Sequence, residues 1–289
     1  NGACRQNRGV EVTIGADQIV GKTVSWNTNL TMSQNKTIVK DLPDGAEWMD
    51  LAGNYENNYF RRIKGEKTAT MWGYVNEGVW TTEEVAQGLA PDGVEAGAYK
   101  YADFDGEEGT GANDRQIIGN GQPTFQWGWT NTLNYKNFDL SVFMIGVHGF
   151  DIYNYTKEAR LGVGNDNTMS LGPNPEWKNR WRAGENENAT IAGFIKNRNA
   201  LTPSSQYVEK GDFLKVKSIT LGYSIPTSLL SKIDITRLRV YASIQNPFFI
   251  TGYSGIDPEV TLKTPITSGI DWGYYPNGRN ILLSLNLTF

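Results

Sequence analysis

A period of two residues is the trace that a β-strand with two unlike faces leaves in a sequence, and this chain carries it in five segments. Ile281, Leu283, Leu285, Leu287 and Phe289 fall on one side while Asn280, Ser284, Asn286 and Thr288 fall on the other, with Leu282 the exception. Val24, Trp26, Thr28, Leu30 and Met32 oppose Thr23, Ser25, Asn27, Asn29 and Thr31 in the same way. Leu238, Val240, Ala242 and Ile244 oppose Arg237, Arg239, Tyr241, Ser243 and Gln245. Phe125, Trp127, Trp129, Leu133 and Tyr135 oppose Thr124, Gln126, Gly128, Thr130 and Asn134, and Val10, Val12 and Ile14 oppose Glu11, Thr13 and Gly15. Two more segments are less regular. Phe138, Leu140, Val142 and Met144 share a face, but Phe143, Ile145 and Val147 interrupt the polar side. Leu214 and Val216 change phase before Ile219, Leu221 and Tyr223, which predicts a β-bulge near Lys217-Ser218. The fold class is all-β.

The connections alternate too. Strands near 8–19 and 22–35 meet at a tight turn around Gly21, those near 122–135 and 137–149 at Lys136, and those near 211–224 and 234–246 at a turn beginning at Pro226. Between these pairs lie spans of roughly 36 to 121, 150 to 210 and 247 to 277, far beyond ordinary loop length. In an up-and-down sheet all three long spans fall at one end and all short turns at the other, the plan of a transmembrane antiparallel β-barrel. The alternating runs have the roughly 9–11 residues that a tilted membrane-crossing strand needs. Trp26, Tyr135, Phe138, Tyr223 and Phe289 gather at the short-turn end, as an interfacial aromatic girdle does. A soluble β-sandwich would also alternate, but it gives no reason for one-sided loops. Seven strands do not close a barrel of even number, so residues 1–289 are expected to form the C-terminal part of a larger barrel, with the other strands elsewhere.

Composition removes rival classes. No apolar run approaches the roughly 18 residues of a membrane helix, Val142 to Val147 being the best. With a formal charge of −4 and no Lys/Arg run, the footprint of a nucleic-acid partner is missing. One histidine, His148, and one cysteine, Cys4, leave no material for a disulfide framework or a Cys/His zinc site. Cys4 reads as an inert thiol, because the lipobox-like Gly2-Ala3-Cys4 lacks a preceding apolar segment. The start at Asn1, without Met or a signal core, reads as that of a fragment or processed product. Nine Trp, 14 Tyr and 11 Phe in a chain of mean hydropathy −0.46 fit a wall whose apolar residues are diluted by alternation.

Several blocks, in order, resemble the C-terminal half of SusC-like TonB-dependent outer-membrane transporters. They are Asn7-Arg8-Gly9-Val10-Glu11; Trp72-Gly73-Tyr74-Val75-Asn76-Glu77-Gly78-Val79-Trp80, followed by a short helix at Thr82-Glu83-Glu84-Val85; and Tyr99-Lys100-Tyr101-Ala102-Asp103 through Asp114-Arg115-Gln116-Ile117-Ile118-Gly119-Asn120. Tyr135-Lys136-Asn137-Phe138-Asp139-Leu140-Ser141, Leu221-Gly222-Tyr223, Gln245-Asn246-Pro247-Phe248, Tyr253-Ser254-Gly255-Ile256-Asp257-Pro258-Glu259-Val260 and Leu285-Asn286-Leu287-Thr288-Phe289 complete the series. About 155 to 205 is unmatched by any block. The resemblance implies about seven strands of a 22-stranded barrel in the Gram-negative outer membrane, whose plug domain and N-terminal strands lie outside this chain. It implies TonB as energy source through the absent N-terminal part, a SusD-like surface lipoprotein as partner, and the lipid bilayer as surroundings. Leu283, Leu285, Leu287 and Phe289 resemble the family's terminal signal for barrel assembly.

Four carboxylates, Asp103, Asp105, Glu107 and Asp114, stand at positions 1, 3, 5 and 12 of a 12-residue window, the oxygen spacing of a calcium loop. Position 6 is Glu108 where that loop wants glycine, and an acidic solvated loop is the plainer reading; Ca²⁺ is the one cofactor considered, and none is required. In the long spans Trp177, Trp181, Trp272, Tyr274 and Tyr275 are the aromatic candidates for stacking on a substrate, with Arg180, Arg182, Asp257 and Asp271 to orient it, against the alternative that they fill loop cores. Arg237 and Arg239 fall on the polar face, where they line the channel or meet plug carboxylates, and His148 at a strand end suits an interface better than catalysis. The expected function is TonB-dependent import of oligosaccharides. Its rivals are import of oligopeptides by the same mechanism and a non-transporting, aromatic-rich glycan-binding β-protein; no catalytic constellation stands out.

Overall fold

The structure is a computed structural model describing residues 3–20, 23–51, 59–107, 109–161, 175–195, 200, 203–230, 235–262 and 267–289. Seven strands form one antiparallel sheet in chain order: β1 (Cys4–Val20), β2 (Val24–Asp41), β3 (Phe125–Tyr135), β4 (Phe138–His148), β5 (Phe213–Ser224), β6 (Arg237–Thr251) and β7 (Asn280–Thr288). All seven lie where the alternation puts them, and β1 and β2 run further toward the long connections than the pattern alone indicates. The turn around Gly21 falls outside the described residues. At the β3–β4 turn Lys136 takes a left-handed φ of 52°, and its N–H donates to the Thr23 carbonyl at 3.0 Å.

Register converts alternation into two continuous faces. Trp26, Leu133, Leu140, Leu221, Ala242 and Leu283 are successive partners from β2 to β7, and the next row toward the short turns is Val24, Tyr135, Phe138, Tyr223, Val240 and Leu285. Tyr135, Phe138 and Tyr223 thus adjoin in one row, with the Phe138 and Tyr223 rings 4.6 Å apart. On the opposite face Asn27, Thr132, Ser141, Thr220 and Ser243 form a polar row. Because neighbouring side chains on one face are cross-strand partners, a one-residue slip would mix the two faces, so this pattern fixes register. The apolar face stays exposed: Leu283 is 82% and Phe289 84% accessible, which a sheet facing water would not sustain over such an area.

The expected bulge is present. Val216 pairs with Phe248 and Ser218 with Gln245, so Lys217 has no partner in the ladder. The extra residue keeps Leu214 and Val216 on the apolar face with Ile219 and Leu221, which accounts for the change of phase in the sequence.

Long connections 42–124, 149–212 and 252–279 all leave from the same end of the sheet and pack on each other. A short helix, α1 (Thr82–Ala86), begins at a capping box in which Thr81 and Glu84 exchange hydrogen bonds, matching the helix expected there. Further short helices are α2 (Tyr155–Arg160) and, in the β5–β6 turn, α3 (Thr227–Leu230). One loop core gathers Tyr59, Phe60, Met71, Tyr153, Trp177 and Tyr207. Another joins the sheet itself: Val147 of β4 and Phe213 of β5 pack with Phe150, Ile152 and Tyr253, and Ile145 lies against them. The apolar residues that break the polar side of β4 are therefore the seat on which the loop assembly rests.

Candidate functional site

Where connections 149–212 and 252–279 meet, a cleft of about 340 Å³ opens between Asn154, Lys157, Arg160, Glu176, Asp271 and Tyr274. Asn154 caps α2: its side-chain oxygen accepts from the Lys157 N–H at 2.9 Å, and its amide donates to Glu209 at 3.3 Å and to the Ser254 hydroxyl at 3.2 Å. Glu209 also accepts from the Ser254 N–H and hydroxyl, at 2.9 and 2.8 Å. The Lys157 ammonium lies between Glu176 at 3.3 Å and Glu209 at 3.4 Å. On the opposite wall Asp271 accepts from the Tyr253 hydroxyl at 2.7 Å and the Gly273 N–H at 2.9 Å, and burial first, then that carboxylate, raises the Tyr253 phenol above its ordinary range. The lining therefore presents both signs of charge, fixed by neighbouring groups. It is suited to holding a polar oligomer.

Beneath the cleft Glu158 of α2 is buried and accepts hydrogen bonds from the hydroxyls of Tyr59, at 3.2 Å, and Tyr153. Burial outweighs those bonds and lifts its carboxyl to about 7. The Tyr153 oxygen also accepts from the Ser204 N–H, so one carboxyl joins segments from two long connections. The connection 252–279 is tied to the polar face of the sheet by charge. Lys215 of β5, 2% exposed, donates to Asp257 at 2.9 Å and Glu259 at 2.6 Å, and Lys217 donates to Glu259 at 2.8 Å. Asn277 donates to both carboxylates from its side chain. The bulge at Lys217 brings the two lysines to the same loop segment.

The aromatic candidates separate. Trp177 is buried, its ring stacked on Phe194 at 4.7 Å, and Trp181 packs against a further loop cluster of Tyr74, Val79, Tyr99, Tyr101 and Ala192, with its indole N–H on Glu187 at 3.0 Å. Trp272 meets Tyr155 at 4.2 Å and Tyr59 at 5.4 Å. These three rings fill loop cores in the manner of the alternative reading. Tyr274 lines the cleft, and Tyr275 beside it is 91% exposed. Arg239 pairs with Asp139 in the wall itself. His148 accepts from the Trp127 indole at 3.2 Å and stacks on Phe125.

Of the calcium window, Asp103, Asp105 and Asp114 bring carboxylate oxygens within 4.8 Å of one another, while Glu107 is not among them and Glu108 lies outside the described residues. The fit to a cation is partial, because both Asp114 oxygens already accept backbone N–H groups, from Phe104 and Gly111, each at 2.7 Å. Those bonds hold its carboxyl below the ordinary range. Sequence reasoning missed Asn154, Lys157, Glu158 and Glu209; only the Asn154 cap, an Asn before a helical turn, leaves a local signal.

A registered antiparallel wall, apolar on one face and polar on the other, with every long connection at one end, is the architecture of an outer-membrane barrel. No protein-family profile matches the chain. It is 31% identical to TonB-dependent receptor P3 of Formosa agariphila over 98% of this chain and 29% of that protein. To TonB-dependent receptor SusC of Bacteroides thetaiotaomicron it is 25% identical over 98% of this chain and 26% of that one. The RagAB peptide transporter superposes with a TM-score of 0.79 at 18% identity, over 99% of this chain and 29% of that chain, and the RagAB peptide importer in its closed-closed state gives 0.75. The chain is thus homologous over nearly its whole length to SusC-like TonB-dependent receptors and has the fold of their barrels. It spans under a third of the length of these relatives, and the stretch 155 to 205, which carries no recognisable block, lies within the homologous sequence.

Proposed function

We propose that this chain is the C-terminal wall of a nutrient importer in the Gram-negative outer membrane, driven by TonB through a part of the receptor outside these residues. One observation carries the reading: a predominantly apolar face runs across the sheet while the long connections gather at one end. On this reading the connections are external and the 22-stranded barrel is completed by preceding sequence. A SusD-like lipoprotein covers the external side, and Leu283, Leu285, Leu287 and Phe289 form the assembly signal. The transported nutrient is an oligomer. Fixed charges of both signs in the cleft favour an oligopeptide, and the structurally similar RagAB is a peptide transporter. Oligosaccharide import is the second reading and rests on Tyr274 and Tyr275, the aromatic candidates that remain accessible. The receptor carrying this chain should migrate as a heat-modifiable outer-membrane protein and take up a labelled oligomer pool only with functional TonB. Recovery of the receptor as a detergent-free soluble monomer would defeat the proposal, and parallel peptide and oligosaccharide pools decide the substrate.

A further inference from the structure

Arg8 and Lys36 are direct partners in the β1–β2 ladder, and both are exposed. Their phase is that of Val10, Val12 and Ile14 on β1 and of Leu30 and Met32 on β2, so the two cations lie on the apolar face, one row beyond Val10 toward the long connections, with Ile38 a row further on. A third cation joins them. The segment carrying Lys67 adds to β2 above β3, with Lys67 opposite Ile38 and the Thr68 N–H donating to the Thr37 carbonyl at 3.0 Å. Lys67 is therefore a diagonal neighbour of Lys36 on the same face. Opposed residues in a sheet stand about 5 Å apart at Cβ and diagonal ones about 7 Å, close enough for three like charges to repel. Burial first, and then the charge of Lys36, hold the Lys67 ammonium below its ordinary range. Asp151, the carboxylate that acts in the other direction on Lys67, is already bound by Lys210 at 2.7 Å. Among the described residues no carboxylate makes an ion pair with Arg8, Lys36 or Lys67.

Like charges directly opposed on a sheet are destabilising unless an anion joins them. The row below holds Val10, 66% exposed, and Phe125, which on the membrane reading meet lipid chains. An anion at this height is one attached to an apolar body. We propose that Arg8, Lys36 and Lys67 bind the phosphorylated headgroup of an outer-leaflet lipid, whose chains lie along Val10, Val12, Met32 and Trp127. Arg8 supplies a planar fork for phosphate oxygens and the two lysines supply point charges. The inference rests on the proposed membrane reading, and its test separates the two.

The whole receptor carrying this chain is extracted from outer membranes in mild phosphorus-free detergent, incubated with phosphorylated lipid A and washed extensively in the same detergent, and the phosphorus retained per receptor is measured. The variants are R8Q, K36Q, K67Q and the triple, with K36R as the charge-conserving control. We expect retention of phosphorylated lipid by wild type and K36R, and a loss on the order of tenfold or more in the triple variant, with smaller losses in the singles. Equal retention by the triple variant overturns the inference. So does displacement by millimolar inorganic phosphate, which would mark a general anion site, and so does loss of a co-purifying protein partner with lipid retention unchanged. A receptor absent from the outer-membrane fraction sinks the membrane reading itself, whereas normal insertion without headgroup retention sinks this inference alone.

Discussion

The Arg239 guanidinium reaches from β6 across the whole width of β5 to the Asp139 carboxylate on β4, with its Nε donating at 2.9 Å and a second nitrogen on the other oxygen. Gly222 lies beneath the pair, as ladder partner of Asp139, and a Cβ there would meet Asp139 at 2.4 Å and the Arg239 guanidinium at 2.6 Å. The glycine is thus the opening through which two non-adjacent strands are tied on the polar face. We expect Gly222→Val to lower barrel stability by about 1–3 kcal/mol through overpacking and loss of the pair. Arg239→Ala should cost about 1 kcal/mol, because both groups keep some exposure. In the double variant the second change should add little, since the first already separates the pair. Urea unfolding of the folded receptor in detergent measures all three, and full additivity would refute the bridge.

Lys215 is the only buried cation tying connection 252–279 to the sheet through Asp257 and Glu259 among the described residues. Removing one partner of a buried pair leaves an unpaired charge and costs about 3–5 kcal/mol. We expect Lys215→Met to speed amide exchange across 252–279 by about a hundredfold or more while β1 to β3 are unaffected. Lys217→Met, whose lysine is half-buried, should have a much smaller effect. Equal protection in both variants would show that other contacts hold the loop.

Alternation made the sheet readable because each wall residue answers to one of two environments, and a period of two survives in sequence whatever the rest of the chain does. Even the phase change at Lys217 was visible, since a bulge moves every later residue by one. The loop assembly was not. Trp177 looks the same in sequence whether it stacks on Phe194 in a core or on a substrate, and only the fold distinguishes them. Val147 looked like an error in β4 because its partners, Phe150, Ile152 and Tyr253, lie in other elements. The cleft was illegible for the same reason: Lys157, Glu176, Glu209 and Asp271 are ordinary polar residues brought together from distant positions.

Glu158 gives the loop assembly a pH dependence of definite sign. Its carboxyl is raised from the ordinary value of 4.5 to about 7, mainly by burial. A carboxyl that is harder to ionise when folded contributes stability in full below about 4.5, loses it progressively as pH rises to about 7, and changes nothing beyond. The total is about 3.5 kcal/mol at most, at about 1.4 kcal/mol per pKa unit. Protease nicking of the external connections should therefore accelerate between about pH 5 and 7. Glu158→Gln keeps hydrogen-bonding capacity without the charge and should flatten the profile. An unchanged slope in that variant would assign the effect to another group.

Phe289 follows β7 on the phase of Leu283, Leu285 and Leu287, and these side chains stand exposed on the apolar face. Arg237 to Gln245 of β6 pair with Thr288 to Asn280, so the backbone of β7 is already held on one side without help from Phe289. Among the described residues the aromatic ring, 84% exposed, adds no buried contact within the sheet. Deleting it should therefore leave the stability of assembled receptor within about 0.5 kcal/mol, the range of ordinary surface changes. Its proposed role lies in assembly, and there the deletion should lower the amount of heat-modifiable receptor in the outer membrane several-fold and raise the periplasmic unfolded pool. Phe289→Tyr, which keeps the ring, should assemble normally. A deletion that assembles at wild-type levels would remove the assembly role, and one that assembles normally but melts early would give Phe289 a structural role in the finished barrel.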